Sequence, residues 1–483
     1  MRYPKTRYQR LTLTDFTGGL NTERSDFDIA DNEFKVFQNL IYKSGGPRTR
    51  GGFQIEYGFT ATVLSALKRD NLIYLIFDNG DFGVYDTQAK VYTSKGIITD
   101  HITIIPKLVW FDPAVVFTVG NSVWVYDTST ETLTKTSSPV AKDLLVKYGR
   151  VVIASGDEVW FSRVGDATDW TPDSNDPSAA QYFQIGYKEG KDITAINHFL
   201  DDLLVFKEDK IYQLIGMSSV KLLNSKRGAI NNSSTISLMS DVYAIDKNGF
   251  YSVVKDRFVD VVAGDLDLKV KRFLKDNIDT SLRVFYSQTL RAFIIKGSRE
   301  TLLYFYEYGS FGTFKTELPI DVFVDDGALY GLKDNIYLYK EDIPYDSFSG
   351  YIYDASQEIA SDNENIYQVK RIYSALKSKK FTAGLKNTIV RFGFGIKNIK
   401  QEGSISITTG KKTANISIQT SSEYIYDAQS QITDSNSYIF GMPETINKHI
   451  HSTQVVDELG FYVSLDTPAT IYQLFIDYIP MEA

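Results

Sequence analysis

His449 and His451 stand two residues apart, the spacing that would put two imidazoles on one face of a β-strand, as a metal pair requires. Spacing supplies no third ligand for them, and His101 and His198 stand alone. The chain has no Cys, so thiolate metal sites and disulfides are excluded. Asp166, Asp169, Asp173 and Asp176 form an acidic run. They lack the Asp-x-Asp-x-Asp-Gly loop and distal Glu of a helix–loop–helix calcium site. Carboxylates also pair at Asp201-Asp202 and Asp325-Asp326. A glycosidase needs two such groups facing across a cleft, about 5–9 Å apart. Solvated turn acids are the simpler reading of all these pairs. No Gly-x-Ser-x-Gly, Walker A or dinucleotide fingerprint occurs. The expectation is a protein that is not an enzyme, with no cofactor and no metal.

Basic residues cluster at Lys68-Arg69, Lys226-Arg227, Lys269 with Lys271-Arg272, Lys370-Arg371, Lys377 with Lys379-Lys380, and Lys411-Lys412. They are scattered through a chain of formal net charge −8, which as a whole is no electrostatic DNA binder. A surface that DNA slides past without sticking stays compatible with that charge. Lys221, Lys226 and Arg227 fall in a basic stretch read as a long loop, 216–234. They are the candidates for touching DNA phosphate, a contact that positions a backbone without reading sequence. No window of ~18 apolar residues spans a bilayer. Met1-Arg2-Tyr3-Pro4-Lys5 opens no signal-peptide apolar region. The missing cysteines suit assembly in a cytosol.

Whatever these residues do, sheets must position them. The 483 residues exceed one compact core, and 32 Tyr and 30 Phe against 12 Pro favour strand. One hairpin recurs. Its clearest copy runs Val115-Val116-Phe117-Thr118-Val119, turns at Gly120-Asn121, and returns as Ser122-Val123-Trp124-Val125-Tyr126-Asp127. Further copies begin near 72, 151, 203, 242, 292 and 328, at a mean spacing of about 43 residues, and a four-stranded propeller blade needs ~40–45. The expected fold is all-β: a six- or seven-bladed β-propeller over 60–340. A β-sandwich would show single strands every ~8–12 residues, and an up-and-down barrel needs fewer strands. Two insertions interrupt the array, 165–178 and 216–234. Asp265 to Ile278 carries the 3–4 apolar spacing of a short amphipathic helix. A polar linker follows at 341–364. The remainder, 365–483, alternates as an antiparallel β-sandwich domain with a polar loop at 420–437.

Residues 1–59 do not repeat and read as an N-terminal arm, with a short helix N-capped by Asp31 and running to Asn39. Apolar Phe16, Leu20, Ile29 and Phe37 argue against a solvated lead-in. Within this arm, Phe16-x-Gly18-Gly19-Leu20-Asn21, then Asp31-Asn32-Glu33, Asn39, and Gly45-Gly46-x-x-x-Arg50-x-Gly52 follow in order. The pattern resembles the N-terminus of the tail nozzle (tail tubular protein B) and packaged-DNA stabilisation hub family of short-tailed double-stranded DNA bacteriophages. Val159-Trp160-Phe161-Ser162 leading to Asp166, Thr168, Asp169 and Trp170 resembles a second stretch of those proteins.

The resemblance implies a structural protein of the virion tail, assembled in the host cytoplasm. It implies a homo-oligomeric ring, usually a hexamer, below portal and adaptor and above tail-tip or fibre proteins. The ring's lumen would be the exit channel for DNA and help retain the packaged genome until ejection. Phe16, Gly18, Gly19, Leu20, Asn21 and Arg50 are then the candidate assembly arm, and the loops 165–178 and 216–234 the candidate gate. The alternative is a glycan-degrading or glycan-binding β-propeller protein.

Overall fold

The computed structural model describes residues 9–43, 46–256, 259–341, 343, 345–349, 367–371, 374–380, 387–397, 403–409, 412–419, 436–440, 445–456, 459–465 and 470–480. The fold is almost entirely β. Lys271–Lys275 is the α-helix among the described residues. The chain divides into two compact units. One comprises Met1–Ile55, Glu300–Leu318 and Leu338–Ala483; the other comprises Glu56–Arg299 and Pro319–Tyr337.

The repeat unit consists of four-stranded antiparallel sheets, as the recurring hairpin predicts. Val63–Arg69, Leu72–Phe77, Asp81–Asp86 and Val91–Ile97 make the first sheet. Lys107–Phe111, Ala114–Thr118, Val123–Asp127 and Thr132–Lys135 make the second. The third starts at Asp143–Lys147, the fourth at Ala195–Phe199 and the fifth at Thr235–Leu238. Arg283–Ser287 and Ala292–Lys296 then pair antiparallel. The last sheet starts at Ile320–Asp325 and Leu329–Lys333, and its fourth strand, Gly52–Gly58, precedes the first sheet in the chain. In six of the seven cases the hairpin marked by the sequence supplies the second and third strands of its sheet; in the sixth, Ala292–Lys296 belongs to the repeat unit and Thr301–Phe305 to the other unit.

The seven leading strands form a circuit. Each lies against the next in order, and Ile320–Asp325 returns to lie against Val63–Arg69. Apolar clusters fill the spaces between successive sheets. Phe82 of the first sheet stacks on Phe117 of the second, centroids 5.0 Å apart. Phe117 is fully buried, which contributes about 2–3 kcal/mol relative to exposure. Trp170, from the insertion after the third sheet's second hairpin strand, is buried among Ala114, Val116, Ile153 and Ala167.

Among the described residues, the other unit holds two larger sheets besides the two-stranded pair of Tyr345–Ser349 and Tyr367–Arg371. One joins Leu40–Tyr42, Pro47–Thr49, Thr470–Pro480, Asn387–Lys397 and Thr445–Val456, with Gln9–Leu13 on the side of Thr470–Pro480. The second runs from Thr301–Phe305 and Ser310–Phe314 through Glu33–Gln38, Ser374–Ser378 and Tyr462–Leu465 to the hairpin of Gly403–Thr409 and Lys412–Gln419. The late strands therefore follow the sequence reading, but early strands and the 301–314 hairpin are woven among them.

Three local expectations are corrected. The helix expected from Asp31 to Asn39 is the strand Glu33–Gln38, paired on one side with Ser374–Ser378 and on the other with Ser310–Phe314. Its Phe34 and Phe37 are fully buried, and burial between two partner strands overrides the cap signal. The stretch 216–234 is not one loop, because Ser219–Asn224 is an outer strand paired with Ile211–Ile215. The helix expected over 265–278 shrinks to Lys271–Lys275, since Val259–Asp265 before it completes the fifth sheet. Most of the linker 341–364 and the loop 420–437 lie outside the described residues. Tyr345–Ser349, inside that linker, is a strand paired with Tyr367–Arg371.

Candidate functional site

The six arm residues are packed inside their own unit. Phe16 stacks on Phe34, centroids 5.8 Å apart. The Gly18 N–H donates to the Asn32 carbonyl at 3.0 Å. Gly19 has φ +64°, and a Cβ there would lie 2.7 Å from the Phe311 carbonyl oxygen, so the position excludes a side chain twice over. Leu20 and Asn21 are buried, and Asn21 Nδ2 donates to Glu33 Oε2 at 2.7 Å. Arg50, 1% exposed, donates through Nε to Asn39 Oδ1 at 3.1 Å and through both terminal nitrogens to Asp346 at 3.1 and 2.8 Å. Its guanidinium also lies 4.4 Å from the Phe314 ring centroid. Asp346 further accepts from the Phe53 N–H and Thr316 hydroxyl. The Tyr339 hydroxyl accepts from the Gly51 N–H at 2.7 Å, and burial pushes its pKa up to about 12. The sequence marked these residues by type, but nothing in it pointed to Asp346 as their partner.

The three candidate phosphate contacts separate in character. Lys221 lies on the exposed outer strand Ser219–Asn224, and Lys226 is exposed beside it. Arg227 is engaged inward. It reaches Asp246 and Asp265 at 3.3 Å each and lies 4.2 Å from the Tyr251 ring centroid. The insertion 165–178 is likewise tied down. Arg163 pairs with Asp169 at 3.3 Å and Asp176 at 2.5 Å. Buried Arg150 donates to the carbonyls of Ser162, Ala179 and Pro177 at 2.6, 2.6 and 2.7 Å. Asp166 and Asp173 cap the turn N–H groups of Thr168 and Asn175. The four acids are thus spent on turns and one arginine. Among the described residues, no three His, Cys, Asp or Glu side chains come together as a metal-binding group. His449 and His451 lie on Thr445–Val456, opposite Gly393 and Arg391, and their side chains lie outside the described set.

Chemistry that the motifs missed gathers where the leading strands of the repeat unit begin. Asn232, buried just before the fifth leading strand, donates to the carbonyls of Ile105 and Lys142, before the second and third, at 2.8 and 3.1 Å. Arg283, on the sixth, donates to the Leu64 carbonyl on the first at 2.6 Å. These bonds tie across the circuit rather than around it. Beside them opens a cavity of about 620 Å³, whose lining mixes polar Asp78, Asp100, His101, Thr103, Thr280 and Arg283 with apolar residues that include Ile98, Ile102 and Ile104. Asp100 is neutralised by Lys135 at 2.5 Å and by donors from Ser122 and Trp124, which hold its pKa below the usual carboxylate range despite partial burial.

Further along the same strands, Lys107 meets fully buried Asp143 at 2.7 Å, and Asp143 also accepts the Ile196 N–H at 2.7 Å. Burial raises the Asp143 pKa, partly offset by Lys107. Next to them His198 is pushed down to about 4, first by desolvation and then by Lys147 and Lys107. No periodicity of the chain marks these groups, because they come from different repeats and meet only when the circuit forms.

No family model matches this sequence, and no curated protein does. Among solved structures, the chain is similar to the computationally designed Ika8 protein, at 14% identity and a TM-score of 0.38, covering 59% of this chain and 97% of that one. It is also similar to PorZ, a bacterial surface component of the type-IX secretion system of Porphyromonas gingivalis, at 14% identity and a TM-score of 0.39. That match covers 62% of this chain and spans 41% of the length of PorZ.

Proposed function

We propose that this chain is a seven-bladed β-propeller serving as a structural wall unit of a phage tail nozzle or hub. Copies assemble as a ring beneath the adaptor, and double-stranded DNA leaves through the lumen between copies. The observation that carries the reading is the mutual pairing of the residues behind the family resemblance. Gly18 bonds Asn32, Asn21 bonds Glu33, and Arg50 bonds Asn39. Scattered in sequence, they behave as one physical object, which supports treating the pattern as a family signature rather than a coincidence of composition. The circuit of seven leading strands supports the propeller, and net charge −8 suits a wall that DNA passes without being held.

The cross-circuit bonds of Asn232 and Arg283 bear on where DNA would run. They join leading strands that are not neighbours in the circuit, which supports a passage between subunits rather than along a subunit's own axis. The test is assembly: the purified chain, mixed with an adaptor–portal complex of a short-tailed phage, is imaged by negative stain. Rings capping the adaptor are expected. A chain that stays monomeric on that complex and degrades capsular polysaccharide overturns the proposal.

A further inference from the structure

We propose that the cavity beside the leading strands is a binding site for an acidic sugar, whose carboxylate is held by Arg283 and whose hydroxyls are held by the cavity wall. This goes beyond the nozzle reading and does not depend on ring assembly.

Arg283 is only partly exposed, and its pKa is lowered chiefly by burial. It forms no ion pair within 4 Å with any described residue. Asp321, the acid whose field it feels, is committed to Lys333 at 2.8 Å and to Lys296 at 3.6 Å. One guanidinium nitrogen donates to the Leu64 carbonyl. That bond orients the planar group, which has five N–H donors in all. Arg283 is one of the residues lining a cavity of about 620 Å³. A half-buried guanidinium in a cavity wall, with no ion-pair partner of its own, suits a planar oxyanion, which such a group grips through two parallel hydrogen bonds.

The rest of the wall selects among oxyanions. Asp100 is already neutralised by Lys135, so it does not repel an anion at full strength. Asp78 accepts the Thr62 N–H through one oxygen, at 3.1 Å, and its carboxylate can take hydroxyl donors. Thr103 and Thr280 add hydroxyls, and His101 adds an imidazole. A bare phosphate would meet Asp78 as a like charge. A hydroxylated carboxylate offers its anion to Arg283 and its O–H groups to Asp78 and the threonines. The cavity volume falls in the range of ordinary small-ligand sites, about 300–1,000 Å³.

Titration calorimetry of the whole chain with glucuronic acid, glucose and inorganic phosphate tests this at low salt. Glucuronate is expected to bind, with glucose at least tenfold weaker. Arg283→Gln should weaken glucuronate at least tenfold, and Arg283→Lys, which keeps the charge but loses the fork, by several-fold. Because Arg283 also ties to Leu64, hydrogen exchange of the unmutated protein is followed in parallel. Glucuronate should slow exchange over 98–106 and leave 165–178 unchanged. Phosphate binding as tightly as glucuronate overturns the sugar assignment. Equal binding of glucose, or no binding and no protection by glucuronate, overturns the site.

Discussion

Arg50 and Asp346 lie 296 residues apart in the chain, yet they form a two-pronged ion pair with nitrogen–oxygen distances of 3.1 and 2.8 Å, both side chains almost wholly buried. Such a pair holds two distant segments in register. Removing one partner leaves the other charged and without water. Asp346→Ala is expected to destabilise this unit by about 3–5 kcal/mol, whereas Arg50→Met with Asp346→Leu recovers a large part of that loss. Urea unfolding of the three variants reads it. A single-variant loss under ~1 kcal/mol would show the pair to be dispensable.

Asp267 presents the opposite case. Both carboxylate oxygens are buried without a hydrogen-bond partner at normal length. Its pKa is raised first by desolvation, with the N–H groups of Phe250 and Asp267 offsetting only part. A folded-state pKa above the unfolded one means that the folded state holds the proton longer. Stability contributed by this group is therefore present below the unfolded pKa and lost as pH rises through the folded value. Asp267→Asn should raise the urea midpoint at pH 7.5 and leave it unchanged near pH 3. A lower midpoint at pH 7.5 would show that the carboxylate has a partner after all.

Gly249 sits against the same carboxylate. Its φ is +132°, and a Cβ would approach Asp267 Oδ2 to 2.2 Å. Gly249→Ala is expected to destabilise by about 1–3 kcal/mol through backbone strain and collision together. Combining it with Asp267→Ala should relieve the collision and leave the strain. If the double variant is no less destabilised by Gly249→Ala than the single, contact with Asp267 plays no part.

His198 gives a second pH signature with the reverse sign. Its pKa falls from the usual 6.5 to about 4. The unfolded chain therefore takes up a proton first as pH drops. Stability is full above pH 6.5 and declines between there and about pH 4. The decline should reach about 2 kcal/mol once solvent screening is allowed for. His198→Gln should flatten it in denaturant titrations at pH 7.5, 6 and 5. An unchanged slope would move the effect to another group.

Arg150 anchors the insertion after the third hairpin through three carbonyls. Arg150→Ala should speed hydrogen exchange and proteolysis across 163–180 by tenfold or more, as a local opening. Exchange in Leu72–Phe77, in the first sheet, should not move. Protection that survives the substitution would mean that Trp170 alone seats the segment.

The seven hairpins were legible because their strands are buried on both faces and read as unbroken apolar runs such as Val151-Val152-Ile153-Ala154. Outer strands carry little of that signal. Ser219–Asn224 is exposed at its first four positions, so its composition reads as a loop. Glu33–Gln38 read as a helix because a cap residue and a 3–4 apolar spacing are local, whereas its partners Ser310–Phe314 and Ser374–Ser378 arrive more than 270 residues later. The groups around Arg283 and His198 were invisible for a related reason. Each comes from a different repeat, and only ring-wise contact makes neighbours of them.

The repeat unit's two ends meet. The Phe59 N–H donates to the Asp334 carbonyl at 2.8 Å, and the Thr62 hydroxyl donates to the Asp334 carboxylate at 3.0 Å. The order in which the sheets are read along the chain is then a convention rather than a structural fact. A cut at Gly156-Asp157, with the old ends sewn together, would leave every inner neighbour in place. Such a rearranged chain would begin with a different sheet and still be the same object.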